Sequence, residues 1–475
     1  MTQLLHSLVS EAARRDGARL AVAGDPPAAY YELERRIGDF ADALREAGAE
    51  GARVGLLLPN VPAFPVAFFG ALRAGAGAVM LNPLYSPREL GEYLKDSGAA
   101  AVVTIEAYEH LLPSSVPRVE LDPSDGSIEN DFSAPIDGHG DHPSLRIGGD
   151  REAAIIYTSA QDGWARGARL THRSLIANLR GVHEAMQMRP EDRVLAVAPF
   201  VHSFGLTVTL NAPLAAGATV VPVERFHPLR TLDALEQSGA TVLAGVPAMF
   251  LGLIAAAEKR GTPSHALRIA ICGGAPLPRE VARRWEETFG LPLREGYGLT
   301  EASPVCLFNR VDRPNRPGTL GYPFPGVDVT IRGAQGASLP AGETGEICVE
   351  GANLFAGYLG EEGRDPAQWF DGAFRTGDLG SAEGDGTVRF RGVRKRMFTR
   401  NGFNIYPREI ERVIEEDPRV AEACVNAVPD PARENEIVLT IVPADGAELG
   451  EADVREMCRE CLASYKQPGR IVIEA

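Results

Sequence analysis

Seven consecutive residues, 295–301, combine two glycines, a tyrosine between them, a threonine and two carboxylates. Glycine lets a backbone approach a ligand closely, and Tyr297 between two glycines can lay its ring against a purine. Thr300 can hydrogen-bond a phosphate oxygen, and Glu301 is a hard oxygen ligand of the kind that suits Mg²⁺. This mixture indicates a nucleotide site; the alternative is a plain turn with a polar rim.

A second polar stretch lies further along the chain, where residues 374–380 have the sequence Phe-Arg-Thr-Gly-Asp-Leu-Gly. Together the two stretches resemble the adenylate-forming superfamily of acyl-CoA synthetases, aryl-CoA ligases, luciferases and peptide-synthetase adenylation domains. Its members use ATP to activate a carboxylate as an acyl adenylate, and most then pass the acyl group to a thiol. The resemblance extends over nearly the whole chain, and residues 82–90 resemble the fatty acyl-CoA ligase branch.

The resemblance implies a role for each polar residue of these stretches. Thr300 and Glu301 would contact phosphate and Mg²⁺, Tyr297 would stack on adenine, and Glu295 or its backbone would meet the adenine amine. Asp378 would accept hydrogen bonds from the ribose hydroxyls, because a carboxylate can take two donors at once; the alternative for Asp378 is a turn-forming role. The nucleotide-binding residues implied in this way are Thr158, Ser159, Gly163, Gly274, Ala275, Pro276, Glu295, Gly296, Tyr297, Asp378 and Arg394.

The resemblance also implies an acyl pocket. Residues 198–205 resemble the segment that gates this pocket, and His202 within it is expected near the reacting carboxylate; the alternative is a satisfied core histidine. Residues 246–250 and 272–277 would line the apolar part, where small residues leave room for an aliphatic tail. The predicted catalytic residues are His202, Thr300, Glu301 and Arg166, and Glu301 is also the predicted metal ligand.

Three departures from the family pattern bear on adenylation, and the first is the phosphate loop, residues 157–167. The family places glycine, two threonines, glycine, any residue, proline, lysine and glycine after an opening Tyr-Thr-Ser. Here Arg166 replaces the lysine, and the other changed residues are Ala160, Gln161, Asp162 and Ala165. Two like charges about 4 Å apart repel by about 4 kcal/mol at an effective dielectric constant of 20, and by less where solvent screens them. Asp162 would therefore oppose a pyrophosphate.

The second departure is at residues 392–396, where the family has glycine, arginine, any residue, lysine and aspartate. Val393 replaces the arginine that contacts ribose, and Arg396 replaces the hinge aspartate. Arg394 can substitute for the arginine only if the backbone shifts. The basic residues of this junction are Arg391, Arg394, Lys395, Arg396 and Arg400, which form either a solvated basic strand or a replacement docking site for phosphates. The motif at 402–411 is intact and is implied to pack the small domain and form the thiolation face.

The third departure concerns the C-terminal residues. Tyr465 to Pro468 resembles the segment just upstream of the family's catalytic lysine, and the sequence ends at Ala475 without a match to the lysine motif itself. Lys466 is therefore not expected to be that lysine. Because losing a charge clamp on a developing phosphoanhydride typically costs roughly 10²–10³-fold in rate, impaired or modified adenylation is expected.

Composition restricts the partners and the compartment. The net charge of -16 over 475 residues argues against nucleic acid as a partner, since phosphate binding needs a basic surface. Cys458 and Cys461 form a lone C-x-x-C, which is a weak metal signal, and the cysteine pattern fits a reducing cytoplasm.

Residues 1–20 lack the apolar core of a signal peptide. Residues 194–223 are uncharged, but prolines and polar residues interrupt them, so a buried strand–helix–strand unit is expected and not a transmembrane segment.

The alternation of short apolar strands with helices predicts a doubly wound α/β fold in a chain too long for one core. A helix is expected over 63–74, a long surface excursion over 108–150, and a hairpin turn at Asp385-Gly386. The large N-terminal domain, residues 1–391, is predicted to contain two doubly wound α/β subdomains and a β-rich subdomain. A small mobile α+β domain is predicted for residues 392–475.

The favoured hypothesis is an AMP-forming ligase similar to acyl-CoA synthetases. It would activate a fatty or aryl acid with ATP and Mg²⁺ and pass the acyl group to CoA or an acyl carrier protein, as in fatty acid metabolism. One alternative is an acyltransferase or hydrolase that acts on a preformed thioester or adenylate. Another is a catalytically silent protein that binds acyl groups or nucleotides. The intact nucleotide motifs favour the ligase, and the three departures favour the alternatives.

Overall fold

The computed structural model describes residues 3–130, 148–158, 163–361, 365–394, 396–430 and 432–474. The α-helices are α1 (Leu5–Arg15), α2 (Tyr30–Glu46), α3 (Ala63–Ala74), α4 (Pro87–Ser97), α5 (Glu106–Glu109), α6 (His172–Met186), α7 (Ala212–Ala216), α8 (Pro228–Ser238), α9 (Pro247–Arg260), α10 (Arg279–Phe289), α11 (Pro407–Glu415) and α12 (Glu451–Cys461). A π-helix covers Gly205–Asn211, and 3₁₀ turns cover Thr300–Ala302, Pro366–Gln368 and Ser464–Lys466.

The strands of the first half are β1 (Leu20–Val22), β2 (Ala28–Ala29), β3 (Arg53–Leu57), β4 (Gly77–Leu81), β5 (Ala101–Thr104), β6 (Arg118–Leu121), β7 (Ile128–Asn130), β8 (Glu152–Thr158), β9 (Arg166–Thr171), β10 (Arg193–Ala196), β11 (Thr219–Pro222) and β12 (Val242–Gly245). Those of the second half are β13 (Ile269–Cys272), β14 (Leu293–Gly298), β15 (Val305–Phe308), β16 (Tyr322–Pro323), β17 (Val327–Arg332), β18 (Gly345–Gly351), β19 (Trp369–Phe370), β20 (Ala373–Ala382), β21 (Val388–Val393), β22 (Phe398–Arg400), β23 (Phe403–Ile405), β24 (Val420–Asp430), β25 (Glu434–Pro443) and β26 (Arg470–Ile473).

Two mostly parallel sheets form the large part of the fold. Within the described residues, one sheet has 7 strands in the order β7-β6-β5-β3-β4-β8-β9, and only its edge strands β7 and β9 pair antiparallel. The other has 9 strands in the order β16-β15-β14-β13-β12-β10-β11-β1-β2 and is parallel from β14 to β1. Open sheets of this kind bind ligands at the carboxyl ends of their parallel strands.

The helices that lie between the two sheets pack against both of them, and together they form one apolar core. Helix α3 has the predicted bounds and is buried on nearly every side, because it consists of alanines, phenylalanines and other apolar residues. Helix α2 buries Leu33, Ile37, Phe40 and Leu44 along a single face, as their helical spacing predicts. A single buried cluster contains residues of both sheets, so the two sheets do not fold as separate cores.

Two predicted segments differ in detail from expectation. The strand–helix–strand unit over 194–223 is present as β10, a helix and β11, but the helix begins as the π-helix Gly205–Asn211 before it becomes α7. The predicted excursion over 108–150 contains β6 and β7, which extend the 7-stranded sheet. Residues 131–147 of that excursion lie outside the described residues.

The β-rich and C-terminal parts complete the fold, and the predicted fold class is confirmed. Strands β17, β18, β20, β19 and β21 form one sheet, and the turn at Asp385-Gly386 joins β20 to β21 as predicted. The three-stranded sheet β24-β25-β26 packs with α11 and α12 around a separate apolar cluster. Strand β21 continues past residue 391, and the domain boundary predicted there stays a prediction. No helix among the described residues is long and apolar enough to cross a bilayer.

Candidate functional site

The parallel pairing of β13 with β14 brings two of the predicted nucleotide segments to one edge of the 9-stranded sheet. Cys272 at the end of β13 lies opposite Glu295 in β14, so both chains leave the sheet on the same side. The loop after β13 contains Gly274, Ala275 and Pro276, and Gly274 has a φ of +81° that favours glycine. The two predicted segments are therefore neighbours in the fold, and their role as the walls of a nucleotide cleft stays a prediction.

Strand β20 adds Asp378 to this cleft. The hydroxyl of Tyr297 donates a hydrogen bond to Oδ2 of Asp378 over 2.6 Å. Burial and the Asp378 carboxylate raise the pKa of Tyr297 well above its usual value, so the hydroxyl keeps its proton and acts as a donor. Sequence analysis predicted both residues but not their contact, which fixes the ring of Tyr297 and one oxygen of Asp378 relative to each other.

Glu295 is a buried carboxyl group at the base of the cleft. The backbone N–H of Leu277 donates a hydrogen bond to its Oε1 over 3.2 Å. Burial raises the pKa of Glu295 to about 7, and the Leu277 N–H opposes that effect. Glu295 can therefore change its protonation near neutral pH in the place where the sequence predicts a contact to adenine.

This pKa shift predicts a pH-dependent stability difference for Glu295→Gln. Because the folded-state pKa lies above the usual 4.5, the parent protein loses stability as the pH rises from about 4.5 to about 7. At pH 8 the free energy of unfolding of the variant should be about 2–3 kcal/mol higher than that of the parent. This difference should vanish near pH 4. Urea unfolding at several pH values measures it. The exposed Glu286→Gln variant serves as the control, and equal pH slopes for Glu295→Gln and the parent would contradict the shift.

Thr300 lies next to the segment that contains His202. The buried hydroxyl of Thr300 lies 3.3 Å from the hydroxyl of Ser203, next to His202 at the start of the π-helix. The side chain of His202 is partly buried, and this burial lowers its pKa to about 4. Since the backbone N–H of Phe204 donates to Nδ1 of His202 over 3.3 Å, the neutral imidazole carries its proton on Nε2. The structure thus places Ser203, which belongs to the predicted acyl gate, against Thr300, the predicted phosphate contact.

Glu301 has a partner that sequence analysis missed. The hydroxyl of Tyr358 donates to Oε1 of Glu301 over 2.6 Å. The guanidinium of Arg166 lies 5.7 Å from the Tyr358 ring centroid and forms an ion pair with Glu361 over 3.1 Å. Nothing in the sequence near Tyr358 signals this contact, because it joins a loop after β18 to a turn after β14.

The basic junction is neutralised by carboxylates in the described part of the chain. Arg394, the predicted substitute for the ribose-contacting arginine, donates instead to Oε2 of the buried Glu346 over 2.8 Å. Arg400 is buried and not solvated, and it pairs with Glu436 over 2.9 Å. The other described members of the group, Arg391 and Arg396, lie near Glu383 and Glu411. Each described charge is paired with a carboxylate of the fold, and the side chains of Arg391, Arg394 and Arg396 are also about half exposed to solvent. A docking role for phosphates at this junction stays a prediction.

The phosphate loop connects β8 to β9 and reaches α11. Thr158 and Arg166 face each other at the end of this strand pair, while Ser159 and Asp162 lie outside the described residues. Gly163 has a φ of +83°, and a Cβ there would lie 2.9 Å from the carbonyl oxygen of Arg408. The Nε of Arg412 donates to the carbonyl oxygen of Gly163 over 3.1 Å. Sequence analysis did not predict that α11 touches this loop.

Comparison with protein families decides the affiliation of the chain. Residues 9–359 match the model of the AMP-binding enzyme family, and residues 409–474 match the model of the AMP-binding enzyme C-terminal domain. The chain belongs to the AMP-binding enzyme family. The resemblance to adenylate-forming enzymes that the sequence motifs indicated is confirmed, and the two matched ranges correspond to the large and small parts of the fold.

Individual relatives cover almost the whole of this AMP-binding enzyme. A feruloyl-CoA synthase from an Amycolatopsis species is 34% identical over 448 residues, which are 92% of this chain and 88% of that protein. A malonyl-CoA ligase in a ternary product complex with methylmalonyl-CoA and AMP superposes with a TM-score of 0.82 at 30% identity and covers 96% of each chain. ATP-bound MatB from Rhodopseudomonas palustris superposes with a TM-score of 0.71 at 28% identity and covers 100% of this chain and 95% of that one.

The small domain of this AMP-binding enzyme closes over the cleft through the turn between β22 and β23. Gly402 in that turn has a φ of +77°, and a Cβ there would lie 2.4 Å from Cγ1 of Val246. Its carbonyl oxygen would lie 3.6 Å from a Cβ placed on Gly274, the glycine of the predicted adenine wall. A residue of the small domain thus lies directly against the predicted nucleotide cleft of the large domain.

Proposed function

We propose that this protein is an AMP-forming ligase that joins a carboxylic acid to CoA by way of an acyl adenylate. The observation that carries the proposal is the contact between Tyr297 and Asp378, which places an aromatic ring and a ribose-accepting carboxylate side by side at the carboxyl end of a parallel sheet. ATP, the acid and CoA are the substrates, and acyl-CoA, AMP and pyrophosphate are the products.

The nucleotide would lie between the Gly274 loop and β14. The Tyr297 ring offers one apolar face, and the Asp378 carboxylate would accept hydrogen bonds from ribose hydroxyls. The Thr300 hydroxyl would donate to the phosphate that carries the acyl group. Since Glu295 has a pKa of about 7, it can accept a hydrogen bond from the adenine amine when it is ionised.

Mg²⁺ would bind at this site only with ligands from both the protein and the substrate phosphates. Among the described residues, no group of three or more histidines, cysteines, aspartates or glutamates could hold a metal ion by itself. Glu301 supplies one carboxylate, oriented by Tyr358, and Mg²⁺ commonly binds one or two carboxylates together with substrate phosphates. When bound, the ion would offset the negative charge of the phosphates. Tyr358 would hold Glu301 in place for that contact.

The carboxylate substrate would enter beside His202. Because the imidazole is neutral and carries its proton on Nε2, it can donate one hydrogen bond without placing a full charge near the substrate. Phe204 lies close to Gly273 after β13, and these residues would offer an apolar surface to the acyl group. The acid can be a fatty acid, as residues 82–90 suggest, or an aryl acid, as the similarity to a feruloyl-CoA synthase suggests.

We also propose that the domain arrangement in this structure is the one used for thioester formation. The product complex with methylmalonyl-CoA and AMP and the ATP-bound relative have nearly equal identity and coverage, yet their TM-scores are 0.82 and 0.71. A difference of this kind over whole chains is expected when the two domains are placed differently. The better fit to the product complex supports the thioester arrangement, and the contact of Gly402 with the cleft agrees with it.

This arrangement predicts a selective defect for Gly402→Ala. Its Cβ would collide with Val246, so the small domain cannot close, and thioester formation should fall by about tenfold or more while AMP binding stays unchanged. Gly446→Ala is the matched control, because Gly446 also has a φ of +77° but has open space around it. Thioester formation that is equally slow in both variants would show that backbone strain, and not the collision, is responsible.

The altered phosphate loop supports a modified adenylation step. Asp162 brings a negative charge where the family has a threonine, and Arg394 is engaged by Glu346. Slow adenylation would leave the second half of the reaction, transfer from a supplied acyl adenylate to CoA, less affected. Transfer or hydrolysis of a preformed acyl thioester without ATP is the alternative that this loop favours.

The test is a substrate panel with two readouts. Pyrophosphate release and acyl-CoA formation are measured with long-chain fatty acids, hydroxycinnamic acids and short dicarboxylic acids. The ligase proposal expects both products from at least one class, in equal amounts when CoA is present. Transfer or hydrolysis of a supplied acyl thioester, with no pyrophosphate release from ATP for any acid, would favour the alternative. Failure to bind AMP or an acyl-adenylate mimic would contradict both.

A further inference from the structure

A buried cluster of charges joins the two domains at a distance from the nucleotide cleft. Lys466 is 2% exposed, and its Nζ lies 2.7 Å from Oε1 of Glu89 and 2.7 Å from Oε1 of Glu409. Glu89 belongs to α4 in the large domain, whereas Glu409 and Lys466 belong to the small domain. One ammonium group therefore holds one carboxylate from each domain.

The surroundings of Lys466 are aromatic and dry. Its Nζ lies 5.9 Å from the ring centroid of Tyr85 and 5.6 Å from that of Tyr465. Burial lowers the pKa of Lys466, but Glu409, Glu89 and neighbouring tyrosines outweigh burial and raise it well above its usual value. An ion pair in such a place is sensitive to the loss of one partner, because the other charge is left buried without compensation.

Further contacts on the same face belong to the same docking surface. Helix α4 also contributes Arg88, which donates to Glu416 and, over 3.5 Å, to Sγ of Cys461. The backbone N–H of Ser464 donates to the carbonyl oxygen of Leu84 over 3.2 Å. These contacts fix the position of the turn that carries Lys466 relative to the large domain.

The turn that carries Lys466 is connected to the glycine that closes the cleft. The ring of Tyr465 stacks on Phe403 with a centroid distance of 4.2 Å and an interplanar angle of 15°. Arg400 donates to the carbonyl oxygens of Tyr465 and Gln467 over 3.2 and 2.7 Å. Arg400 and Phe403 flank the turn that contains Gly402, so a shift at Lys466 is transmitted to Gly402.

We propose that Glu89 and Lys466 form an interdomain latch that positions Gly402 against the nucleotide cleft for transfer of the acyl group to the thiol. This inference rests on the proposed ligase function and adds the positioning residues of its second step. In that step the thiol sulfur bonds to the acyl carbon, the bond from that carbon to the AMP phosphate oxygen breaks, and the thiol proton goes to solvent. Lys466 and Glu89 take no part in the bond changes and act through Gly402.

Glu89→Gln is the sharpest variant for a test. Glu89 also closes the capping box of α4, where its Oε2 accepts from the backbone N–H of Ser86. Glutamine keeps such a cap, so the helix is retained while the charge that attracts Lys466 is lost. Glu92→Gln is the matched control, because Glu92 lies on the same helix, is exposed and pairs with Arg88 rather than with Lys466.

The experiment separates the two half-reactions in the full chain. Adenylation is followed by pyrophosphate release without CoA, and thiol transfer is followed by single-turnover acyl-CoA formation from supplied acyl adenylate. Glu89→Gln and Lys466→Met should slow thiol transfer by about tenfold or more and change adenylation by less than about twofold. Lys466→Arg should recover part of the loss, and Glu92→Gln should match the parent. A parallel loss of both half-reactions, or no loss in either, overturns the latch.

A second readout does not depend on activity. Limited proteolysis between Arg394 and Arg400 reports whether the small domain is docked, and cleavage should be faster in Glu89→Gln than in Glu92→Gln. Equal cleavage rates overturn the latch even if the enzyme is active. A parent protein that forms no acyl-CoA from any acid or adenylate overturns the proposed function, and with it the assignment of the latch to thiol transfer.

Discussion

Replacing Asp378 by alanine should abolish measurable nucleotide binding. The carboxylate is the acceptor for the Tyr297 hydroxyl over 2.6 Å, and it is also the proposed acceptor for two ribose hydroxyls. Hydrogen bonds to a charged group contribute about 1.5–3 kcal/mol each, so losing two should weaken AMP binding by roughly 10²–10⁴-fold. Calorimetric titration with AMP and with an acyl-adenylate mimic measures the loss directly.

Two variants separate the ribose contact from the contact with tyrosine. Tyr297→Phe keeps the ring and removes only the hydroxyl that donates to Asp378, so AMP affinity should fall by less than about tenfold. Asp378→Asn keeps the shape and one acceptor oxygen, and its affinity should lie between those of Tyr297→Phe and Asp378→Ala. If Asp378→Ala binds AMP as well as Tyr297→Phe does, Asp378 only orients the tyrosine and does not bind ribose.

Local patterns were sufficient to predict the elements of the fold but not their irregularities. Helix α3 has the bounds that its apolar composition predicts, because a fully buried helix leaves a clear signal over three turns. The π-helix over Gly205–Asn211 has no such signal, since its i→i+5 hydrogen bonding depends on tertiary packing, here against α6 and β10. The strands β6 and β7 were missed because each is only three or four residues long and lies at or next to the sheet edge.

The candidate site was predicted as a set of motifs, and its pairings were not. The loop after β13, the residues around Tyr297 and Asp378 were expected to meet, because the family resemblance assigns all of them to one nucleotide site. The contacts of Tyr358 with Glu301, of Glu346 with Arg394 and of Lys466 with Glu89 join residues far apart in sequence. Only the tertiary fold brings those charges together. From the sequence, Arg394 was therefore assigned to a basic stretch, whereas in the structure it forms an ion pair with Glu346.

Removing the negative charge at position 162 should speed adenylation. Asp162 lies outside the described residues, so the prediction rests on its charge and its place in the phosphate loop. A repulsion of up to about 4 kcal/mol, reduced by solvent, corresponds to a rate increase of about tenfold to a few hundredfold for Asp162→Thr. Restoring Ala160→Gly and Gln161→Thr in the same protein should raise pyrophosphate release further, because the loop then regains the family's glycine and hydroxyls.

The Asp162→Glu variant and a change in ionic strength distinguish the effect of the charge at position 162 from the effect of side-chain shape. Asp162→Glu keeps the charge and should remain as slow as the parent, while Asp162→Asn should gain most of the increase. The difference between Asp162→Thr and the parent should shrink as ionic strength rises, because an exposed charge is screened within about 10 Å at 0.1 M salt. A parent enzyme that already releases pyrophosphate as fast as Asp162→Thr would mean that a cation offsets Asp162. Arg166 is the first candidate, and its ion pair with Glu361 would then have to open, so Glu361→Gln should raise the rate further.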